Sequence, residues 1–298
     1  MRSPSLPISV AIPTYRREKV LLDTLDYLLA LDAGPTEIIV VDQTLGHETA
    51  TTEKLTSLNN EGHIHWIKLE TPSITHAMNC ALLAAKEDIV LFLDDDIRPE
   101  PELISNHYVA HQKHADVLVA GRVIQPWEEG FDFSGDSHFH FAAMKHAWIT
   151  EFMGGNFSLR KNVALSLGGF DENFVRVAYR FEAEFAHRFT SSGKRIYFEA
   201  NACLHHLKES AGGTRAFSEH LTTWRPDHAV GAYYFALRTK TGGRWLKDFI
   251  SRPISALMTR HHLRHPWWIP LTLIAELRGM FWALGLTIHG PRFVQQDK

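Results

Sequence analysis

Three adjacent carboxylates, Asp94, Asp95 and Asp96, are the residues of this chain best suited to chemistry. They follow five apolar residues, Ile89 to Leu93, which places them at the carboxyl end of a strand buried on both faces. Adjacent Asp side chains repel one another and raise each other's pKa unless a cation sits among them. Hard oxygen ligands suit Mg²⁺ or Mn²⁺, and open α/β sheets bind ligands beyond the carboxyl ends of their central strands. A solvated acidic turn before Pro99 is the plain alternative. A second candidate is Glu182. Residues 180–191 carry Phe181, Phe185 and Phe189 on one helical face, and Glu182 lies nearer that face than Glu184. Half-burial raises the pKa of such a carboxyl and suits it to act as a base; an ordinary amphipathic helix edge would look the same.

Smaller signals surround these two. Gly154-Gly155 brings the backbone close to a neighbour or only punctuates a turn. His205-His206 sits between leucines, which is more often packing than ligation. Lys208 to Arg215, with Gly212-Gly213, reads as a mobile hinged loop carrying cations.

The elements that must position these groups alternate. Ile8–Ile12 is a short apolar strand, and leucines at helical spacing follow over residues 18–31. Glu37–Val41 is a second uniformly apolar strand that ends on Asp42, and a polar helical stretch spans 47–59. His63–Leu69 is a third strand, followed by a helix to about Lys86 with Ser73 or Thr75 as N-cap. After the triple Asp, Pro99-Glu100-Pro101 starts a helix to about His114, and residues 116–125 form another strand. This rhythm predicts a largely parallel, doubly wound α/β sheet. Residues 126–152 break it and read as a long surface loop with a binding role, and Lys194–Phe198 is one further strand.

With 298 residues and 45% hydrophobic content the chain can bury a large core. Its net charge of −3 supplies no basic field for nucleic acid. Cys80 and Cys203 lack metal-ligand spacing and read as reduced core thiols of a cytoplasmic protein. The first seven residues show neither a signal peptide nor a spanning helix.

Taken in order, these motifs resemble the family 2 glycosyltransferases of GT-A fold over roughly residues 7–215, which implies a doubly wound mixed α/β sheet followed by a helical C-terminal extension. Ser9 to Tyr15 resembles the first strand and nucleotide-base loop, which implies donor contacts from Pro13, Thr14 and Tyr15. Ile39 to Asp42 resembles the second strand, whose Asp contacts the base. Leu93 to Asp96 matches the Asp-x-Asp motif, with Asp94 toward the ribose, Asp95 beside the donor and Asp96 on a Mg or Mn ion bridging the diphosphate. Asn79 matches the family's Ala-Arg-Asn, where this chain reads Ala77-Met78-Asn79 and lacks the cation. After Asp42 it has Gln43-Thr44-Leu45 instead of the common Asp-Gly-Ser. Gly154-Gly155-Asn156 and Gly168 to Glu172 resemble the acceptor-side loop and the segment before the catalytic helix, which implies a donor role for Asn156. The resemblance puts the base on Glu182, and a metal-binding histidine on His206 with His205 as alternative. It implies a nucleotide-sugar donor, a saccharide or lipid-linked acceptor, and a single inverting displacement.

This reading divides the chain into a catalytic domain, residues 1–216, and a helical extension, residues 217–298. In the extension, Trp245 to Met258 forms an amphipathic stripe flanked by Arg244, Lys247, Arg252, Arg260 and Arg264. Residues 267–288 are almost long enough to span a bilayer, but Glu276 and Arg278 at the centre make spanning costly. The expectation is peripheral contact with the inner face of a membrane, or packing on the catalytic domain or a second subunit. Two rival classes remain. A non-catalytic nucleotide-sugar-binding module has no need of an intact Asp94, Asp96 and Glu182. A nucleotidyltransferase opens with a glycine-rich phosphate loop, which Pro13-Thr14-Tyr15-Arg16 lacks.

Overall fold

The computed structural model describes residues 5–136, 138–217 and 221–294. The side chain of Arg215, expected among the loop's cations, and the first four residues of the N-terminus lie outside the described set. Strands β1 (Leu6–Thr14), β2 (Pro35–Asp42), β3 (His65–Lys68) and β4 (Ile89–Leu93) pair in parallel in the order β3-β2-β1-β4. Helices α1 (Lys19–Leu29), α2 (Thr49–Asn60) and α3 (Ile74–Ala84) make the crossovers. Ser73 caps α3 by accepting from the His76 N–H, while the Thr75 hydroxyl donates to the Phe174 carbonyl instead. Their spacing is the doubly wound pattern, with apolar side chains on both faces of the sheet.

Beyond β4 the parallel rhythm gives way to the mixed sheet that the GT-A resemblance implies. The expected helix start at Pro99 is a short strand, β5 (Ile97–Pro99), and α4 begins later, at Leu103–Lys113. β6 (Val117–Ile124) runs in the same direction as β4 but is not its neighbour. An antiparallel strand, β8 (Asn156–Arg160), lies between them. The loop between β6 and β8 also contributes β7 (Ala147–Ile149), which pairs with the last strand. That strand, β9 (Arg195–His206), runs eight residues past the Phe198 end expected from sequence. It continues because its far half pairs antiparallel with β5, a partner too short to read from apolar periodicity. Helices α5 (Lys161–Ser166) and α6 (Phe181–Ser191) precede β9.

Two apolar layers result. Ile8, Val10, Ile12, Leu91 and Leu93 face Leu21, Leu25, Leu55 and Ile104. On the other face Val90, Phe92, Phe157 and Phe198 meet Met78, Phe170, Phe185 and Phe189. The second layer extends into the tail, where Val230, Tyr233 and Tyr234 of α7 (Ala229–Thr239), Phe249 of α8 (Trp245–Leu257) and Ala283 of α10 (Ile269–Ile288) join the same cluster; the short α9 (Arg260–Arg264) connects the last two. Glu276 of α10 is buried, accepts a 2.7 Å hydrogen bond from the Tyr233 hydroxyl and pairs with Arg252 at 3.1 Å. The opposite side of these helices leaves Ile250, Ile254, Met258, Leu263, Ile274 and Phe281 exposed.

A polar knot ties β8 to α4. His107 sits 2.8 Å from both Ser158 Oγ and Asn156 Oδ1, and His111 Nε2 lies 2.9 Å from the same hydroxyl. Burial pushes His107 down to about 4 and His111 to about 3, so both are neutral near pH 7. Among the described residues His111 Nδ1 is buried without a partner, so protonating it would bury an unsatisfied N–H. Both folded pKa values lie below the unfolded value of 6.5, so the unfolded chain binds more protons in the window below it. Stability should therefore be complete above about pH 6.5 and fall by a few kcal/mol as the pH drops toward 4. Urea titrations of the wild type and of His111→Phe check this: the variant should lose much of the acid dependence, and identical slopes against pH would exclude the knot as its source.

Candidate active site

Strand register assembles the site. Leu93 pairs with Asn156, so Asp94, one residue on, stands beside Gly155, whose carbonyl accepts from the Asp94 N–H at 3.2 Å. Ile97 pairs with His206, and the Leu207 N–H donates to the Asp96 carbonyl, which sets the end of β9 against the acidic turn. His206 Nε2 then lies 3.2 Å from Asp96 Oδ1 and 4.0 Å from Asp94 Oδ2. Gln125 Oε1, which can only accept, is 3.0 Å from His206 Nδ1 and turns Nε2 toward the two carboxylates. Ligand atoms of Asp94, Asp96 and His206 all fall within 4.8 Å of one another. Two carboxylates and an imidazole form a donor set suited to a divalent metal ion. His205, the alternative, is turned away and held between Glu100 at 2.7 Å and Glu129 at 2.6 Å.

The three carboxylates do not share one fate. Asp95 and Asp96 are buried, which rules out a solvated acidic turn, whereas Asp94 is half exposed in the cleft. Arg17, unremarked in the sequence, supplies the protein's own counter-charge: its Nε reaches Asp95 at 3.1 Å and its Nη2 reaches Asp96 at 3.3 Å. Its remaining donor goes to the carbonyls of Glu209 and Ala211, which seats the 208–215 loop over the cleft. Burial pushes Asp95 up to about 7 despite Arg17 and the Thr14 hydroxyl. Burial also works to raise Asp96, but the hydrogen bond and charge of His206, with Arg17 and the Glu209 N–H, outweigh it and hold Asp96 below the usual carboxylate range.

Two clefts meet at this cluster. One is lined by Pro13, Tyr15, Arg17, Gln43, Ser73 and Phe217, with Tyr15 and Phe217 stacked at 5.9 Å. The other, of roughly 460 Å³, is lined by Phe141, Phe152, Tyr179, Arg180 and Glu182. Asp94, His206, Ile74 and Thr214 border both. Glu182 is half-buried as its helical position predicts, and burial, then Asp94 and Glu151, push it up to about 7 against its own backbone N–H and Arg180. Glu184 corrects the sequence reading: it is the more deeply buried of the two. It takes two hydrogen bonds from Arg188, at 2.7 and 2.9 Å, because α7 covers the side of α6 expected to face water. The paired glycines have a definite purpose. A Cβ on Gly154 would lie 2.9 Å from Glu182 Oε1, and one on Gly155 would lie 2.1 Å from Asp94 Oδ2.

Other expected donor residues are not brought into the cleft. Thr14 is buried and donates to Asp95 at 2.7 Å. Asp42 is fully buried and spends both oxygens on the Thr44 N–H, His47 and the Trp66 indole. Asn79 holds the turn before α6 through the Phe170 carbonyl and N–H, at 2.9 and 2.8 Å. Asn156 belongs to the His107 knot and donates to the Arg122 and Ala202 carbonyls. Each is a short polar side chain satisfied by backbone or buried partners, an outcome that motif order does not reveal.

A cleft at the end of a parallel sheet, a carboxylate–histidine cluster and a Glu at the start of a helix in the adjoining cleft fit a GT-A glycosyltransferase, an enzyme that moves a sugar from a nucleotide-sugar donor to an acceptor hydroxyl. The chain belongs to glycosyl transferase family 2, whose model matches residues 9–176. It is 24% identical over 222 residues to the glucosyl-dolichyl phosphate glucuronosyltransferase of Haloferax volcanii, covering 67% of this chain and 69% of that protein. Its fold is similar to that of TarS from S. aureus, solved with UDP-GlcNAc, at TM-score 0.61 and 17% identity over 89% of this chain and 79% of the other. It is similar also to the mannosyltransferase PcManGT of Pyrobaculum calidifontis, solved with GDP-Man and Mn²⁺, at TM-score 0.57 and 19% identity over 97% and 80%. The family match ends before Glu182 and His206, so those two rest on the geometry above.

Gly155→Ala isolates one part of the site. Only the end of the Asp94 side chain must move to admit the methyl group, so the fold should survive. Affinity for Mn²⁺ with a nucleoside diphosphate should fall about tenfold or more, as calorimetry would record. Unchanged affinity would remove Asp94 from the cluster.

Proposed function

We propose that the chain transfers a sugar from a nucleoside-diphosphate sugar, with inversion, to a hydroxyl of a lipid-linked saccharide, using Glu182 as general base and Asp94, Asp96 and His206 as ligands of Mg²⁺ or Mn²⁺. The observation that carries this reading is the meeting of the two clefts at Asp94 and His206, with Gly154 and Gly155 leaving room for the Glu182 and Asp94 carboxylates in the second. The first cleft takes the nucleotide, with Tyr15 and Phe217 offering aromatic faces to the base and Pro13 lining its entrance. A divalent ion held by the three ligands would neutralise the diphosphate as it leaves. Glu182, in the second cleft, takes the proton from the attacking hydroxyl; its pKa near 7 balances deprotonated population against basicity at neutral pH. Asp95, tied to Thr14 and Arg17, holds the acidic turn in place at the edge of the first cleft.

The acceptor class is supported by the tail. Pro266–Ile288 is long and apolar enough to cross a membrane by length and composition, with mean hydropathy 1.4. Because Glu276 is spent on Tyr233 and Arg252 against α7, that helix fits lying on a bilayer through its outer face rather than crossing it. The Haloferax volcanii relative is named for a lipid-linked substrate. The free thiols of Cys80 and Cys203 suit the reducing, cytoplasmic side of such a membrane.

Glu182→Gln keeps the size and loses the base, so metal-dependent donor binding should persist while transfer falls by about 10² or more. In the wild type kcat/KM should rise with pH through about 7, the direction set by the need for ionised Glu182. Glu184→Gln, by contrast, should lower Tm by breaking the Arg188 pair. Near-normal turnover in Glu182→Gln would end the base assignment. For the tail, flotation with anionic liposomes should recover the wild type, and Ile250→Ser/Ile254→Ser/Phe281→Ser should lose at least half of that recovery; equal recovery would leave the exposed face without a lipid role.

A further inference from the structure

The segment leading into α6 has an unusual backbone. Arg176, Ala178 and Arg180 have φ of 62°, 52° and 74°, a left-handed conformation that is unfavourable for a residue bearing a side chain. The surroundings enforce it. Ala178 is buried, and Gly231 of α7 lies so close that a Cβ there would stand 2.4 Å from the Tyr179 carbonyl oxygen. Such outliers persist where the rest of the fold over-determines them, and their position beside a cleft asks what they deliver. Of the two arginines among them, Arg180 is the one that lines the Glu182 cleft.

Its guanidinium is placed but not consumed. One face lies 4.9 Å from the centre of the Phe235 ring on α7, which fixes its plane. The nearest carboxylate, Glu151, is 3.9 Å away, beyond hydrogen-bond distance, and both side chains are substantially exposed. Apart from Asp94, Glu151, Glu182, His206 and Thr214, the wall is aromatic and apolar, with Phe141, Phe152, Met153 and Tyr179 in it. Aromatic faces suit a sugar ring. A planar, permanently charged fork with unsatisfied edges suits a phosphate or carboxylate, which it grips with two parallel hydrogen bonds.

We propose that the acceptor cleft selects an anionic acceptor, with Arg180 binding a phosphate or carboxylate carried near the attacking hydroxyl. This rests on the glycosyltransferase reading of the same cleft and names its acceptor chemistry. The anion has two sources, the phosphodiester that joins a sugar to a lipid carrier and the carboxylate of an acidic sugar. The Glu151 carboxylate is the competitor that such an anion displaces from Arg180.

Binding of three probes to the full chain loaded with Mn²⁺ and a nucleoside diphosphate tests this: octyl glucoside, octyl glucuronide and octyl glucosyl phosphate. The wild type should bind at least one anionic probe about tenfold or more tightly than the neutral one, the tighter anion naming the source. Arg180→Gln should bind all three alike, Arg180→Lys should keep part of the preference, and Glu151→Gln should strengthen it. Tm measured alongside separates a binding role from a structural one. A neutral probe bound as tightly as both anionic probes, or a preference that survives in Arg180→Gln, overturns the proposal. A wild type that fails to bind nucleoside diphosphate with metal would instead sink the glycosyltransferase site, independently of Arg180.

Discussion

Three neighbouring carboxylates at the end of a buried strand are unstable without compensation, and the way this protein divides that compensation organises the site around them. Arg17 is buried against Asp95 and Asp96 and neutralises the inner part of the cluster, where water cannot. Asp94 and the outer oxygen of Asp96 are left to face His206 and the cleft. Because the same guanidinium also holds the Glu209 and Ala211 carbonyls, the loop over the nucleotide cleft is tied to the electrostatics of the acidic turn. Removing Arg17 would take from two buried carboxylates the cation they share, a larger penalty than loss of a surface ion pair.

The helical tail is part of the same machinery. Asp171, in the turn before α6, accepts from the Tyr234 hydroxyl at 2.8 Å and from the Arg292 N–H at 3.0 Å, so α7 and the C-terminal segment both fasten the turn that aims α6. The segment adds two backbone bonds, Glu172 N–H to the Arg292 carbonyl and Val294 N–H to the Gly168 carbonyl. Arg188 closes the unit from inside the helix, donating to the Leu167 and Gly169 carbonyls as well as to Glu184. Glu182 is therefore held by a frame made partly of residues more than a hundred positions away. The outer face of α8 and α10 thus belongs to helices that share this frame with Glu182.

Much of this was legible in the order of residues. Uniformly apolar runs announced β1, β2 and β4, because strands covered on both faces have no polar side to show. The strand-terminal position of Asp94 to Asp96, the phenylalanine face of α6 and the half-buried place of Glu182 followed from periodicities of two and 3.6. Those are local facts, fixed by residues within a few positions of one another.

Tertiary structure alone decided the rest, because it depended on which distant partner lies against each polar group. Asp42, Asn79 and Asn156 stand at motif positions yet spend their hydrogen bonds on His47 and Trp66, on Phe170, and on His107. His206 rather than His205 faces the cluster because alternate residues of a strand point to opposite sides, and the register that chose between them is the pairing of Ile97 with His206. Glu184 is buried because a helix from the tail covers what an isolated amphipathic helix would turn to water. Local sequence thus determined the strands, the helices and the acidic turn, whereas strand register and long-range packing, which no local period encodes, decided which side chains face the substrate.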